Sequence, residues 1–331
     1  MAVTVALAGD TMLGRGVAEA LREDPDRPLF APEVVAAARA ADLFVLNLEC
    51  CVSDRASARP DPSRMFTFRA PSTALRSLKE LGVSCVTLAN NHALDFGAEA
   101  LGDTFDHLDA AGIRRVGAGR DVVEARTPAV LEANGLRLAV VGITDHPAEY
   151  AAGPGRPGTA FADLRRGLPP WTSETVRSVE ADVVLVTPHW GPNMVPEPLG
   201  YVRAAARALL DSGATMVAGH SAHVFHGVEG PILYDLGDFL DDYAVDRIVR
   251  NDLGLFFLVT FDRSGPTRLE AVPLKLDYCS TRPASGEDRA WIVRRFSNAC
   301  ARLGTAVREE RGRLVAEFAW SARASGTGPR I

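Results

Sequence analysis

Five short apolar runs in this sequence each end on a side chain that can bind a metal ion. The runs have the length and the β-branched content of buried strands, and segments with helical spacing separate them. The carboxyl ends of strands line one edge of a stacked α/β fold, where ligands bind. The sequence therefore predicts one shared site, built from Asp10, Glu49, Asn91 with His92, His189, and His220 with His223.

Three imidazoles lie within seven positions after the apolar segment 214–218 and a glycine. They belong to His220, His223 and His226. Imidazole is the commonest metal ligand among side chains, whereas a single loop histidine is more often a packed or hydrogen-bonded residue. The clustering favours metal binding, and packing with loop hydrogen bonds stays as the alternative interpretation.

The order of the elements predicts an α/β fold. Strands alternate with helices, and hairpins are expected at 128–143 and 255–276, which favours two mixed sheets between helices over one parallel sheet. We expect the main domain over 1–276, a C-terminal helical extension over 277–321 packed on the same domain, and a disordered tail over 322–331.

Composition and charge argue against several classes of protein. The 42 acidic residues outnumber the 36 basic ones, which argues against a nucleic-acid binder. No apolar run approaches the roughly 20 residues that span a bilayer, and no targeting segment is visible. The five cysteines show neither a disulfide pattern nor a metal-binding pattern. We therefore expect a cytoplasmic protein without membrane insertion.

The donor types indicate the kind of metal site. Carboxylate, amide oxygen and imidazole without thiolate suit Mn²⁺, Fe or Zn²⁺. The seven donors at the strand ends are too many for one tetrahedral ion, and they suit two divalent ions that share a bridging carboxylate. Such a pair binds an anionic substrate, generates hydroxide near neutral pH and is commonly used for phosphoester hydrolysis.

The motifs at the strand ends, taken in order, resemble those of the CapA family of bacterial poly-γ-glutamate capsule synthesis, which is similar to calcineurin-like metallophosphatases. They are Gly-Asp at 9–10, Asn-Leu-Glu at 47–49, Ala-Asn-Asn-His at 89–92, His-Trp-Gly at 189–191, Gly-His-Ser-Ala-His at 219–223 and Tyr-Asp-Leu-Gly-Asp-Phe at 234–239. The resemblance covers residues 3 to 276 and implies a four-layer α/β/β/α sandwich.

The resemblance also implies roles for individual residues. Asp10 and His223 would bind the first metal ion, Glu49 would bridge both ions, and the second ion would lie between Asn91, His189 and His220. His92 matches the catalytic histidine of the superfamily. Asp95 could orient His92, and the alternative is a helix N-cap or turn residue.

The chain departs from the expected patterns at two positions. Met12 stands where the superfamily has histidine, and a thioether is a poor ligand for hard divalent ions. His226 could supply the missing donor, and the alternative is a loop histidine that makes hydrogen bonds. Asp238 stands where the CapA pattern usually has asparagine, which places an extra negative charge near the site or marks a turn.

Arginines and one tryptophan are candidates for substrate binding. Guanidinium groups suit phosphate and carboxylate, which points to Arg15, Arg64 and Arg69, although most surface arginines are only solvated. Trp190 follows His189 directly and is expected either to line the pocket or to pack beneath it.

Three functions fit these observations. The first is a hydrolase that uses two divalent ions and cleaves a phosphoester in an anionic small molecule. The second is a metal-dependent hydrolase or transferase of γ-glutamyl amide bonds, acting on oligo-glutamate. The third is a non-catalytic accessory subunit of a polymer synthetase, with the synthetase or a second copy of the chain as partner.

Overall fold

A computed structural model of the chain describes residues 2–55, 59–60 and 64–318, so the tail predicted for 322–331 lies outside the described residues. The strands are β1 (Val3–Thr11), β2 (Leu43–Leu48), β3 (Cys51–Val52), β4 (Arg69–Ala70), β5 (Cys85–Thr87), β6 (Arg114–Val116), β7 (Ala118–Gly119), β8 (Ala129–Ala133), β9 (Leu136–Thr144), β10 (Gly158–Thr159), β11 (Val183–His189), β12 (Met216–Ala218), β13 (Val228–Glu229), β14 (Ile232–Leu233), β15 (Asp238–Leu240), β16 (Leu253–Asp262), β17 (Gly265–Asp277), β18 (Ser280–Pro283), β19 (Arg308–Glu310) and β20 (Arg313–Glu317).

Helices connect these strands and cover both outer faces. They are α1 (Arg15–Glu23), α2 (Pro32–Arg39), α3 (Leu75–Leu81), α4 (Gly97–Ala111), α5 (Val122–Arg126), α6 (Pro170–Ser178), α7 (Gly200–Asp211) and α8 (Gly286–Arg302), with single 3₁₀ turns at Ser72–Ala74, Ala148–Tyr150 and Leu164–Arg166.

Two mixed sheets form the centre of the fold. The larger has the order β19-β20-β17-β16-β1-β2-β5-β6, with β15 also beside β1, and the smaller has the order β13-β14-β12-β11-β9-β8. Strands β1, β2, β5 and β6 run parallel, and so do β9, β11, β12 and β14. The two predicted hairpins are confirmed as the antiparallel pairs β8–β9 and β16–β17.

Alternating side chains of the strands define the layers. Ala8 of β1 packs in the core against α1 to α4, while its neighbour Leu7 packs between the sheets. In the smaller sheet, Leu138 of β9 faces the core between the sheets and Val141 faces α6 and α7. Successive strand residues point to opposite faces, so each sheet buries both of its sides. The predicted four-layer α/β/β/α sandwich is confirmed.

The chain after 277 contains strands as well as a helix. Helix α8 buries Ile292 and Phe296 in the core between the sheets. Strand β20 then pairs antiparallel with β17 and lengthens the larger sheet. Strands β19 and β20 are short, and β19 consists of charged residues, so they carry a weak sequence signal and were not predicted. The helical extension over 277–321 and its boundary stay predictions.

The parallel strands bring the site together. In the larger sheet, β1, β2 and β5 end beside one another, and in the smaller sheet β11 and β12 do the same. A backbone bridge joins His189 to His220 just beyond those strands. At the end of β1, Asp10 is in register with Asp238 of β15. The carboxyl ends of both sheets therefore meet at one buried position.

Candidate metal centre

Asp10 lies at the middle of this position. Its Oδ1 accepts a hydrogen bond of 2.7 Å from Asn47 Nδ2, and its Oδ2 accepts one of 3.2 Å from the backbone N–H of Ser221. The glycine before it is required, because a Cβ at Gly9 would come within 1.9 Å of the carbonyl oxygen of Gly237. The sequence thus fixes a fully buried carboxylate where strands of the two sheets approach each other.

The first group of donors joins Asp10 to two imidazoles. One ligand atom each of Asp10, His189 and His220 lies within 4.8 Å of the others. The two Nδ1 atoms of the histidines are 2.8 Å apart, and Nδ1 of His220 is 3.8 Å from Asp10 Oδ1. All three side chains are buried. Their spacing suits three ligands of one cation.

A second group of donors shares the same aspartate. Asp10, His223 and Asp238 also place one ligand atom each within 4.8 Å of the others. Nδ1 of His223 is 3.2 Å from Asp10 Oδ2 and 2.8 Å from Asp238 Oδ1. Asp10 is therefore common to both groups, whereas the bridging role expected for Glu49 stays a prediction.

Several buried ligand atoms have no hydrogen-bond partner within the described ranges. They are Glu49 Oε1, Asn91 Oδ1, His220 Nε2 and Asp238 Oδ2. Glu49 Oε1 lies 3.8 Å from Nε2 of His189, so it faces the first donor group. A buried acceptor without a partner costs about 1–3 kcal/mol, which a bound cation would offset. The oxygen and imidazole donors present here fit divalent metal ions.

The protonation states of the donor side chains agree with metal binding. Burial lowers the pKa of His189 well below its usual range and that of His220 to about 4, so both imidazoles are neutral, the form that binds metals. Burial opposes charge on His223 too, but the carboxylates of Asp238 and Asp10 raise its pKa well above the usual range. Burial also raises the pKa of Glu49 strongly. A cation in the site would displace protons from these groups.

His92 and Asp95 form a pair beside the donor groups. Nδ1 of His92 is 2.7 Å from Asp95 Oδ2, which also accepts a 2.8 Å hydrogen bond from the backbone N–H of Phe68. Nε2 of His92 lies 3.9 Å from Glu49 Oε1 and so faces the cluster. Helix α4 begins at Gly97 with Phe96 as its N-cap, so Asp95 does not cap that helix. The geometry favours an orienting role for Asp95.

Two asparagines hold this arrangement in place, and the sequence analysis did not assign them. Asn90 Nδ2 donates to Asn47 Oδ1 and to the carbonyl of Leu48, both at 2.9 Å, while Asn90 Oδ1 accepts from the backbone N–H of His92. Asn47 in turn donates to Asp10. Their places in the Asn-Leu-Glu and Ala-Asn-Asn-His motifs were the available signal.

The structure does not bring His226 to the donor groups. Nε2 of His226 is 2.8 Å from the carbonyl oxygen of Val195, in the loop that follows β11, and the ring is 4% exposed. The backbone turns between His223 and His226, because His223 takes a positive φ of 60°. The alternative of a hydrogen-bonded loop histidine therefore describes its position, and the missing donor must come from elsewhere.

The environment of His226 predicts a pH dependence of stability. Burial lowers the pKa of His226 to about 4, below the roughly 6.5 of an unfolded chain. The unfolded state then binds the extra proton first, so stability falls as the pH drops from about 6.5 toward 4, by on the order of 3 kcal/mol. We expect His226→Gln, whose amide can still donate to Val195, to remove this part of the acid sensitivity. Urea unfolding of the metal-free variant and wild type across that range measures the difference, and parallel pH profiles would contradict the prediction.

The four candidates for substrate binding lie in different surroundings. Trp190 is buried in the core of the smaller sheet and donates from Nε1 to the carbonyl of Tyr234 at 2.9 Å, so it packs beneath the site. Arg69 donates to the carbonyl of Arg55 and lies over the ring of Phe96. Neither side chain is directed at the donor groups.

Arg15 and Arg64 lie closer to the donors. Arg64 donates to the backbone carbonyl of Asn91 at 2.8 Å and lies over the ring of Tyr150. The guanidinium of Arg15 lies over the rings of Phe68 and Tyr243. Those rings touch the imidazoles of His92 and His223 at centroid distances of 4.6 and 5.3 Å. Arg15 is thus at the rim of the site.

One further histidine was missed by the sequence analysis. The ring of His146 lies 5.1 Å from that of His189, and its Nδ1 is 2.5 Å from Asp145 Oδ1. Asp145 also accepts hydrogen bonds from the hydroxyl of Tyr201 and the backbone of Gly191. His146 follows β9, a parallel strand whose end was not considered, and that was the available signal.

The motifs and the geometry agree with the comparisons with known proteins. The family described as "Bacterial capsule synthesis protein PGA_cap" matches residues 4–243, most of the chain. The chain belongs to this family. The PGA_cap match ends just beyond β15, so it includes both donor groups and the His92–Asp95 pair. The resemblance to the CapA family is confirmed.

Two relatives cover almost the same part of the chain. A "Probable polyglutamine synthesis accessory protein" of Mycobacterium tuberculosis is 30% identical over 367 residues, covering 92% of this chain and 93% of that protein. The "PGA biosynthesis protein CapA" of Bacillus subtilis is 28% identical over 287 residues, covering 85% of this chain and 73% of the relative.

Solved structures agree on the fold. A phosphatase from Mycoplasma pneumoniae superposes with a TM-score of 0.51 at 13% identity, over 83% of this chain and 94% of that one. At this identity the likeness concerns the fold alone. In the part of the chain that the structure describes, every helix is too short or too polar to cross a bilayer.

Proposed function

We propose that this PGA_cap protein is a hydrolase that uses two divalent metal ions and cleaves a phosphoester in an anionic substrate. The observation that carries the proposal is the pair of buried donor groups that share Asp10, next to an imidazole oriented by a carboxylate. Mn²⁺, Fe and Zn²⁺ are the ions that suit these donors.

Each side chain has a separate role in this proposal. His189, His220 and Asn91 would hold one ion, His223 the other, Asp10 would contact both, and Glu49 would complete the bridge. Bound there, the ions would lower the pKa of a water molecule and stabilise charge on the phosphoryl group. Arg64 fixes the backbone of Asn91, so it would keep the amide oxygen of that residue directed at its ion.

His92 is the proposed general acid. Asp95 holds Nδ1 of His92, which leaves Nε2 to donate a proton to the departing oxygen of the substrate. The second hydrogen bond of Asp95, from the backbone of Phe68, fixes the carboxylate and therefore the plane of the imidazole. The His92–Asp95 pair supplies a positioned proton, and neither of its residues is a metal ligand.

The experiment that tests the proposal is turnover of an aryl phosphate by protein loaded with Mn²⁺ or Zn²⁺. We expect hydrolysis that stops on chelation and returns with added metal. Protein that binds both ions at these residues but cleaves neither aryl monoesters nor diesters would contradict a phosphoesterase function.

The relatives support a second candidate function. One is a PGA biosynthesis protein, and the mycobacterial one is a probable polyglutamine synthesis accessory protein. The same ions could polarise a γ-glutamyl amide carbonyl, or the chain could act on a synthetase partner without chemistry of its own. Release of glutamate from γ-linked oligomers, measured beside the aryl phosphate assay, distinguishes the amide reaction. Absence of both reactions, with metal bound, favours the accessory role.

The position of Arg15 at the rim of the site predicts a change in substrate affinity when this residue is replaced. Arg15→Ala should raise KM for a charged substrate by about 10-fold to 100-fold, because a hydrogen bond to a charged group contributes about 1.5–3 kcal/mol. Arg69→Ala is the matched control, since its guanidinium lies on Phe96 and Arg55 rather than at the rim. Steady-state kinetics measure both variants. Equal KM values for Arg15→Ala and wild type would show that Arg15 only pairs with Asp242 and packs on its aromatic neighbours.

A further inference from the structure

The second donor group has an unusual composition. The residue directly after the strand that carries Asp10 is Met12, whose side chain is fully buried in the core between the larger sheet and its helices. Met12 therefore offers no ligand to the ion that Asp10 and His223 would hold. His226 is directed at Val195 instead. A cation at this position needs a third protein ligand from another element.

Asp238 is in the right place to supply that ligand. Strand β15 lies parallel to β1, and Asp238 is the register partner of Asp10. Residues paired in this way carry their side chains on the same face of the sheet, close to each other. Asp238 is 1% exposed, and its Oδ1 is 2.8 Å from Nδ1 of His223. Three donors from three separate segments thus face one point.

The second carboxylate oxygen of Asp238 indicates that this residue binds a cation and does more than orient His223. One carboxylate oxygen suffices to hold the imidazole of His223, and Oδ1 does so. Oδ2 is buried and has no hydrogen-bond partner among the described residues. Asp241, which interacts with Asp238, also has a buried Oδ2 without a hydrogen-bond partner in this part of the chain. Uncompensated buried carboxylates are costly, and a cation compensates them.

We propose that Asp238 is a metal ligand and that, with Asp10 and His223, it makes an oxygen-rich site that prefers a hard cation such as Mn²⁺. The other ion, between His189 and His220, has an imidazole-rich site that suits Zn²⁺ or Fe. The centre then holds two different ions, because one site prefers Mn²⁺ and the other prefers Zn²⁺ or Fe. This inference rests on the proposed metal centre, but not on which reaction that centre performs.

The test is metal binding by Asp238 variants of the full chain. Asp238→Asn keeps the shape of the side chain and an acceptor for His223, while Asp238→Ala removes both. Asp252→Asn is the matched control, because it neutralises a buried carboxylate that pairs with Arg250 and belongs to neither donor group. Each metal-free protein is loaded with equal Mn²⁺ and Zn²⁺, desalted and analysed by mass spectrometry. Its Mn²⁺ affinity is measured by electron paramagnetic resonance.

The expected result is selective loss of one ion. Asp238→Ala should lose its Mn²⁺ and keep its Zn²⁺, and Asp238→Asn should bind Mn²⁺ about 10-fold to 100-fold more weakly, while Asp252→Asn behaves as wild type. An unchanged Mn²⁺ affinity in Asp238→Asn, or loss of both ions together, would overturn the proposal. Wild type that binds both ions but does not hydrolyse phosphoesters would contradict the proposed function and leave the ligand assignment intact.

Discussion

His92→Asn should lower kcat by about 10²-fold to 10⁴-fold, the usual contribution of a general acid, while both metal ions stay bound. The reason is the position of the imidazole. His92 belongs to neither donor group, and Asp95 holds its Nδ1 so that Nε2 faces the cluster. Asparagine preserves some polarity but cannot donate the proton that the leaving oxygen needs.

The choice of leaving group tests this role. A good leaving group needs no proton, so the loss of activity in His92→Asn should shrink along a series of aryl phosphates with increasingly acidic phenols. His107→Asn is the control, because His107 is a partly exposed histidine of α4 near Asp54, outside the donor groups. A deficit that is equal for all leaving groups, or a loss of metal, would show that His92 is not the general acid.

Asp10→Ala should have the largest effect of any single change, removing both ions and with them all hydrolysis. Asp10 is the member common to the two donor groups, so its loss leaves each group one ligand short. The substitution also removes the acceptor of two hydrogen bonds, one from Asn47 and one from the backbone N–H of Ser221. These bonds hold the loops in place. His223→Ala, by comparison, should lose one ion and keep the other.

Metal content and melting temperature together test the role of Asp10. Asp10→Asn is included because it fits the same space, and Asp106→Ala, an exposed aspartate of α4, is the control for loss of a carboxylate. Retention of two ions in Asp10→Ala would show that Asp10 is not a shared ligand. In that case Glu49 would be the group that joins the two ions.

The sequence predicted which side chains would lie together where those side chains follow strands. Asp10, His189 and His220 each come at or just after the end of a parallel strand, and parallel strands of one sheet end at the same edge. Residues far apart in the chain are therefore close in the fold, and recognising the apolar runs was enough to predict this. The alternation of strands and helices predicted two mixed sheets between helices, while the four-layer arrangement was implied by the resemblance to the CapA family.

The role of His226 could not be predicted because it depends on the backbone between neighbouring residues. His223 takes a positive φ, which turns the chain and sends the next imidazole toward Val195. For Asp238 the difficulty was distance along the chain. Asp238 lies 228 positions from Asp10, and only the pairing of β15 with β1 brings the two carboxylates together. A three-residue strand carries too little pattern to predict such a partner.

The direction of the arginine side chains was equally impossible to predict from the sequence. The guanidinium of Arg15 lies over rings that touch His92 and His223, while that of Arg69 lies over Phe96. Trp190 adjoins His189 and yet points into the core, since neighbouring residues at the end of a strand face opposite sides.

The most direct test of the dinuclear centre is the metal content of the wild-type protein, purified without chelator and measured by mass spectrometry beside the protein concentration. The account predicts two tightly bound divalent ions per chain, released together with activity on chelation. Folded protein that carries no divalent metal, and takes none up from Mn²⁺ or Zn²⁺, would contradict it.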